Sequence, residues 1–278
     1  MANETIYDLH THSYASDGAL SPSALVERAQ LGGVQVLSLT DHDTVAGLEE
    51  ARSKSEAIGL RFVAGIELSV TWCKKNIHII GLNIDPLNER LSEGIHRIQS
   101  VRVERALLMG QKLEKSGIPG AYEGALEKAG IGMVTRTHFA QFLVEKGLAK
   151  DVRDVFNHYL KPGKPGYVHT DWVEMREAVD WISQAGGVAV LAHPMRYQLT
   201  RSWLGRLCAE FKEAGGIGIE VVSGSAPPGE VQSLSAHALR YELLASCGSD
   251  FHSPDYLWQR LGPLAPFPQG LTPIWSAW

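Results

Sequence analysis

The chain has 278 residues, 44% of them hydrophobic and 21% charged, enough to bury one large core or two modest ones in a folded globular protein. Its 26 basic and 31 acidic side chains leave a net charge of −5, which argues against a binder of duplex DNA, a partner that demands a surplus of cations. The three cysteines, Cys73, Cys208 and Cys247, are far apart and form no CxxC pair; with no leader-like N-terminus and no apolar run of about 18 residues, the expectation is a cytoplasmic protein without disulfides, thiolate zinc, signal peptide or membrane span.

Apolar runs of strand type and amphipathic helical stretches alternate along the chain. A strand at Ile6–His10 precedes the helical SPSALVERAQLGG, and a strand at Val36–Thr40 precedes GLEEARSKSEAIG. Strands follow at Phe62–Leu68 and Ile77–Ile84. After a long helical interruption come MREAVDWISQAGG, a strand at Val188–Ala192, the helical RSWLGRLCAEFKEAGG, and strands at Ile217–Val222 and Leu244–Ser249. Several of these helices close on glycine. The alternation reads as repeated βα units with parallel strands. Seven such units without a GxGxxG or GxxxxGK[ST] phosphate loop predict an α/β fold of the (β/α)7 barrel kind rather than an open doubly wound sheet.

Residues 99–165 break the rhythm. They read as wholly helical (VRVERALLMGQKLEKSG, AYEGALEKAG, THFAQFLVEKG, VRDVFNHYL) and end in the Pro/Gly-rich KPGKPGYV, which predicts a helical insert, or lid, between barrel segments 1–98 and 166–278. The insert carries 11 Lys/Arg and 7 Asp/Glu, net +4, so the rest of the chain is net −9.

The chemistry-bearing residues gather at strand ends. His10 and His12 lie two apart on one side of an extended segment, at the end of the first strand where barrel active sites are built. The second strand runs into Thr40-Asp41-His42-Asp43, the third contains Glu67, the fourth His78, the fifth runs into His193, and the seventh into Asp250 and His252. Six of the 11 histidines therefore fall on or beside strands, more than chance placement explains. Imidazole and carboxylate donors without thiolates suit Mn²⁺, Fe²⁺ or Zn²⁺ with positions left for water and substrate. The donors exceed the needs of one ion, which implies two or three divalent metals and the cluster chemistry of phosphate-ester hydrolases.

The order YDLHTHSYASDG, LTDHDT, GIELS, IHIIGL, LAHP and GSDFH resembles the polymerase and histidinol phosphatase (PHP) family of the amidohydrolase superfamily. That resemblance implies a distorted seven-stranded barrel with up to three metals, Mn²⁺ foremost. Carried over position by position, it puts His10, His12, Glu67 and Asp250 on one ion, Glu67, His78 and His193 on a second, and Asp17, His42 and His252 on a third. Asp17 taken alone would read as a turn residue. RTHFAQFLVEKG and VFNHYLKPGKPGYV are similar to the subgroup that acts on nucleotides, with Thr137 where a proline is usual. Thr137 becomes the expected N-cap of a helix whose start, flanked by Arg136 and His138, would bind an anion. Arg102 and Lys164 are further candidates for phosphate contact.

The function implied is removal of the 3′-phosphate of a nucleoside 3′,5′-bisphosphate, adenosine 3′,5′-bisphosphate to AMP, by metal-activated hydroxide, with catalytic roles for Glu67, His193 and Asp250. The basic insert would hold the other phosphate. Two further enzymatic readings share the metal site. A histidinol phosphatase would want acidic rather than basic groups around its cationic amine. A 5′-to-3′ exoribonuclease on short RNA would want stacking aromatics, for which Tyr122, Phe139, Phe142, Phe156 and Tyr159 are available. A metal-free binding module would have lost ligand positions, and none is missing.

Overall fold

The computed structural model describes residues 5–256, 259–262 and 264–278. In chain order the elements are β1 (Tyr7–Asp8), α1 (Pro22–Leu31), β2 (Val36–Leu39), α2 (Leu48–Ile58), β3 (Arg61–Trp72), β4 (Lys75–Leu82), α3 (Glu89–Lys115), α4 (Ala121–Ala129), α5 (Arg136–Glu145), α6 (Val152–Val155), β5 (Val173–Glu174), α7 (Met175–Gln184), β6 (Val188–Leu191), α8 (Arg201–Glu213), β7 (Gly218–Ser223), α9 (Pro228–Arg240) and β8 (Leu244–Gly248). A π-helical turn, Phe156–Leu160, continues α6.

The sheet runs β1-β2-β3-β4-β6-β7-β8, seven strands bent almost into a barrel, with the two-residue β5 paired to the far end of β3. Each expected strand has its counterpart, but the expectation of an all-parallel barrel needs correcting: β4 is antiparallel to both β3 and β6. The reason lies in the link. Only Cys73 and Lys74, both at positive φ, join β3 to β4; two residues can close a hairpin but cannot make a crossover. The ends of the sheet meet where Leu9 N–H donates to Cys247 O (3.1 Å) and Asp250 N–H to His10 O (2.8 Å). A Cβ on Gly248 would lie 2.3 Å from that of His10, so glycine there lets the two edges close.

Strand periodicity sorts the side chains. On β3 the alternate residues Ala64, Ile66, Leu68 and Val70 face the surrounding helices, whereas Val63 joins Leu9, Val36, Ile80, Val190 and Ile274 in a small apolar core inside the barrel. Glu67, two pleats above Val63, faces the same interior at the opposite end. Since β4 runs the other way, its inward His78 precedes Ile80 in sequence and reaches that same end.

The helix α3 starts at Glu89, not near Gln99. Its stripe Leu91, Ile95, Ile98, Arg102, Arg105, Met109, Leu113 follows helical spacing; the first three pack on the barrel core, and the last two join the core of the 99–165 segment with Ala125, Phe139, Phe142 and Leu160. The two buried arginines sit between the cores. No described helix is long and apolar enough to cross a membrane.

Candidate metal centre

At the end of the barrel away from its apolar plug, imidazoles and carboxylates converge in a buried cluster. His10 Nε2 and His12 Nε2 are 3.1 Å apart, and both lie 3.2–3.4 Å from Glu67 Oε2 and Asp250 Oδ1. Glu67 Oε1 meets His78 Nδ1 at 3.0 Å and His193 Nε2 at 2.9 Å. His42 Nδ1 comes within 2.9 Å of Glu67 Oε2. On the far side, Asp17 Oδ1 faces His252 Nε2 at 3.4 Å and His42 Nε2 at 3.9 Å.

These contacts fit cations better than they fit hydrogen bonds. His42 Nδ1 and Glu67 Oε2 are both buried and, despite their proximity, neither has a hydrogen-bond partner among the described residues. They aim at shared points instead of at each other, as ligands do. Three sets of donors lie close enough to share an ion: His10, His12 and Glu67; His42, Glu67 and His78; and His12, Asp17, His42 and His252. Burial lowers His12 to about 3 and His78 to about 4, whereas neighbouring carboxylates outweigh burial and raise His10, His42 and His252, the pull of buried acids on whatever positive charge is at hand. The cluster therefore suits divalent metal binding.

Around the donors lies a layer that orients them. Glu220, on β7, accepts from His10 Nδ1 (3.1 Å) and from the His193 backbone N–H (2.7 Å). That is the carboxylate–histidine arrangement that fixes a ligand's tautomer. A bulge between Glu220 and Val222 re-aims the strand there. Asp41 accepts from Ser13 N–H, Ser13 Oγ and Ser16 Oγ at 2.6–2.8 Å and so fixes the loop that presents Asp17. Arg196 pairs with the outer oxygen of Asp250. His193 and Asp250 both sit at positive φ, 27° and 52°, a strained backbone that the surrounding bonds hold in place.

A cleft of about 240 Å³ opens over the cluster, lined by Asp17, His42, His78, His193, Asp250 and His252 on one wall and by Arg102, Arg105 and Arg136 on the other. Arg102 is tied to Asp43 Oδ2 (2.5 Å) and Ser69 Oγ (3.0 Å) and, like Arg105, lies over the Trp172 ring. Desolvation and the neighbouring guanidiniums push Arg105 well below the usual arginine range and lower Arg136 as well, the signature of positive charge packed without enough acid. A larger cavity, about 550 Å³, at the other end of the barrel between Tyr7, Phe267 and Trp275 has no Asp, Glu, His, Lys or Arg among its described lining residues.

Every expected ligand position reaches the cluster, and Arg102 and Arg136 reach the cleft. Two expectations for the insert differ. The N-cap of α5 is Thr135, not Thr137; its Oγ1 takes the Thr137 N–H, and His138, whose Nδ1 accepts the Thr135 N–H at 3.0 Å, closes a capping box. The helix start is thus already capped, His138 is buried outside the cleft lining, and anion attraction falls to the Arg136 side chain. Lys164 is exposed in the turn after the π-helix and does not line the cleft. Sequence reasoning missed Glu220, Arg105 and Arg196. An acid inside the apolar GIEVV run was the available signal for the first, and Arg105, one turn from Arg102 on α3, for the second.

A near-closed mixed barrel with clustered imidazoles and carboxylates at one end defines a metal-dependent hydrolase of the amidohydrolase type, and residues 8–185 match the PHP domain model. The chain belongs to the PHP family. It is 45% identical over 269 residues to a 3′,5′-nucleoside bisphosphate phosphatase of Chromobacterium violaceum, covering 96% of this chain and 94% of that one. It is 46% identical over 275 residues to the 5′-3′ exoribonuclease Rnm of Escherichia coli, covering 98% and 94%. A solved structure of an amidohydrolase from Chromobacterium violaceum, with bound sulfate and no metal, superposes with a TM-score of 0.93 at 45% identity, covering 98% of this chain and 95% of that one.

Proposed function

We propose that the chain removes the 3′-phosphate from a nucleoside 3′,5′-bisphosphate, adenosine 3′,5′-bisphosphate to AMP. The observation that carries this reading is the two-walled cleft: metal-type donors on one side and three guanidiniums on the other suit a small ligand with two separated phosphates. The name of the Chromobacterium violaceum relative supports it.

In this reading His10, His12, Glu67 and Asp250 hold one ion, Glu67, His78 and His193 a second, and Asp17, His42 and His252 a third. Mn²⁺ is the expected metal, with Fe²⁺ and Zn²⁺ suited to the same donors. Bound metal supplies Lewis-acid polarisation of the phosphoryl oxygens and acidifies water. The chain's own contribution is positional. Glu67 presents Oε1 and Oε2 to different donor sets, as a bridging ligand must. Glu220 keeps the His10 proton on Nδ1, leaving Nε2 for the cluster. His193 lines the cleft with Nε2 beside Glu67 Oε1, where it would serve the second ion next to the reacting phosphate. The basic 99–165 segment, with Arg102, Arg105 and Arg136, holds the phosphate that stays. The unpaired cysteines fit a reducing cytoplasm.

The second reading, 5′-to-3′ trimming of short RNA, draws on the Escherichia coli relative and on the aromatic Phe156 in the cleft lining, with Arg136 over its ring. Of the other aromatics considered, Phe139 and Phe142 belong to the insert core. One panel separates these: with Mn²⁺, phosphate release from adenosine 3′,5′-bisphosphate should far exceed that from histidinol phosphate, and mononucleotide release from a 5′-phosphorylated dinucleotide should be slower than bisphosphate turnover. Dinucleotide cleavage without phosphate release would favour the exoribonuclease.

A further inference from the structure

Asp17 touches two parts of the molecule at once. Its Oδ1 faces His252 and His42, while its Oδ2 accepts from Thr137 Oγ1 at 3.0 Å and faces Thr135 Oγ1 at 3.3 Å. Thr135 caps α5 and Thr137 lies in its first turn, both in the insert. The Thr135 hydroxyl has one proton to give and a second neighbour, His138 Nδ1 at 3.5 Å, as well as its capping duty to the Thr137 N–H, so Thr137 is the better-placed donor. The loop that carries Asp17 is also clamped to the insert: Met133 N–H donates to Ala15 O, and a Cβ on Gly132 would lie 2.3 Å from Tyr14 O.

We infer that Thr137 is a positioning residue for the cation subsite formed by Asp17, His42 and His252, so that the insert completes this subsite while leaving the rest of the cluster to the barrel. By engaging Oδ2 at the shorter distance, the hydroxyl holds Oδ1 toward the imidazoles, with Thr135 Oγ1 a second and longer contact to the same oxygen. Among the described residues no other donor side chain of the cluster is hydrogen-bonded to the insert: His10 is oriented by Glu220 and the His78 backbone N–H donates to the Tyr197 hydroxyl, all from barrel elements. Thr137 follows directly on Arg136, so the residue that steadies a cation subsite adjoins one that lines the anion-facing wall.

This inference rests on the reading of Asp17 and its imidazole neighbours as a cation subsite, and the test separates the two. Metal-free wild type, Asp17→Ala, Thr137→Val and Thr137→Ser are titrated with Mn²⁺ by calorimetry, with folding checked by thermal melts. Asp17→Ala should lose one binding event. Thr137→Val, which keeps shape and removes the hydroxyl, should weaken that same event about 10-fold or more and leave the others in place, and Thr137→Ser should restore it. An Asp17→Ala isotherm equal to wild type overturns the subsite reading and this inference with it. If Asp17→Ala loses the event while Thr137→Val matches wild type, only the role of Thr137 falls. Equal weakening of every event in Thr137→Val, or no recovery in Thr137→Ser, also overturns it.

Discussion

The two walls of the cleft solve opposite electrostatic problems in opposite ways. On the barrel wall, acids and imidazoles face one another and some donors are backed by a further bond, as Glu220 backs His10 and Arg196 backs Asp250, while His42 Nδ1 and Glu67 Oε2 stay without a hydrogen-bond partner among the described residues. On the insert wall the charges are left in excess: Arg102 has Asp43, but Arg105 has no hydrogen-bond partner for its buried Nε among the described residues and lies against Trp172. A cluster whose acids balance its imidazoles and whose lone pairs are left over can be given over to cations. An uncompensated one waits for an anion, and only a ligand that brings phosphate to both walls uses the whole cleft.

The largest test of this contrast is on the barrel side. Glu67 touches His10, His12, His42, His78 and His193, so Glu67→Ala should lower kcat by about 10³-fold or more and reduce retained metal, as chelation of the wild type should. Turnover within tenfold of wild type would break the model. Next comes what the barrel tolerates for its buried acid. Asp8 is pushed up to about 7 by desolvation, against the hydrogen bond from the Ser249 N–H. A carboxyl with a folded pKa raised above its unfolded value stabilises the fold below the unfolded value and loses that contribution as pH rises through about 7. Metal-free wild type should therefore lose up to about 4 kcal/mol relative to Asp8→Asn between pH 4 and 8 in denaturant melts; parallel curves would mean that Asp8 is ionised throughout.

On the insert side, Arg136→Ala should cost roughly 10- to 150-fold in kcat/KM for adenosine 3′,5′-bisphosphate and little for p-nitrophenyl phosphate, which has no second phosphate; Arg136→Lys should recover part. Equal losses on both substrates would move Arg136 to the reacting phosphate. The smallest effect concerns the thiols. Burial pushes Cys208 up to about 12, and Cys247 is buried as well, so iodoacetamide at pH 8 should label Cys73 alone in the folded protein, and labelling of Cys208 at a similar rate would show a looser barrel wall.

Strands and metal-type donors were legible because a pleat and a coordination shell both impose a local pattern, such as His10-Thr11-His12 at the end of an apolar run. The direction of β4 was not: the expected strands stopped at Leu68 and resumed at Ile77, and only the observed reach of β3 to Trp72 and of β4 back to Lys75 leaves a two-residue link. The helix α9 offered weaker cues, with Pro227 at its N-cap position and no side-chain cap. What sequence could not carry was side-chain partnership across long separations: Glu220 to His10, Arg196 to Asp250 and Thr137 to Asp17 depend on which loops the closed sheet brings together. Arg105 is legible only once the α3 stripe is known to leave one core and enter another between Ile98 and Met109.

That stripe also governs how the molecule can be taken apart. With 27 residues, α3 is a beam about 40 Å long that is rooted in both cores, and swinging the insert as a hinged flap would require breaking its backbone ladder near Arg102. Substrate therefore enters past a standing partition. A graft that swaps inserts between related enzymes should be spliced before Asn88, the N-cap of the beam, so that the recipient receives the girder whole, whereas a join near Gln99 would cut through the member that sets the distance between the two phosphate-facing walls.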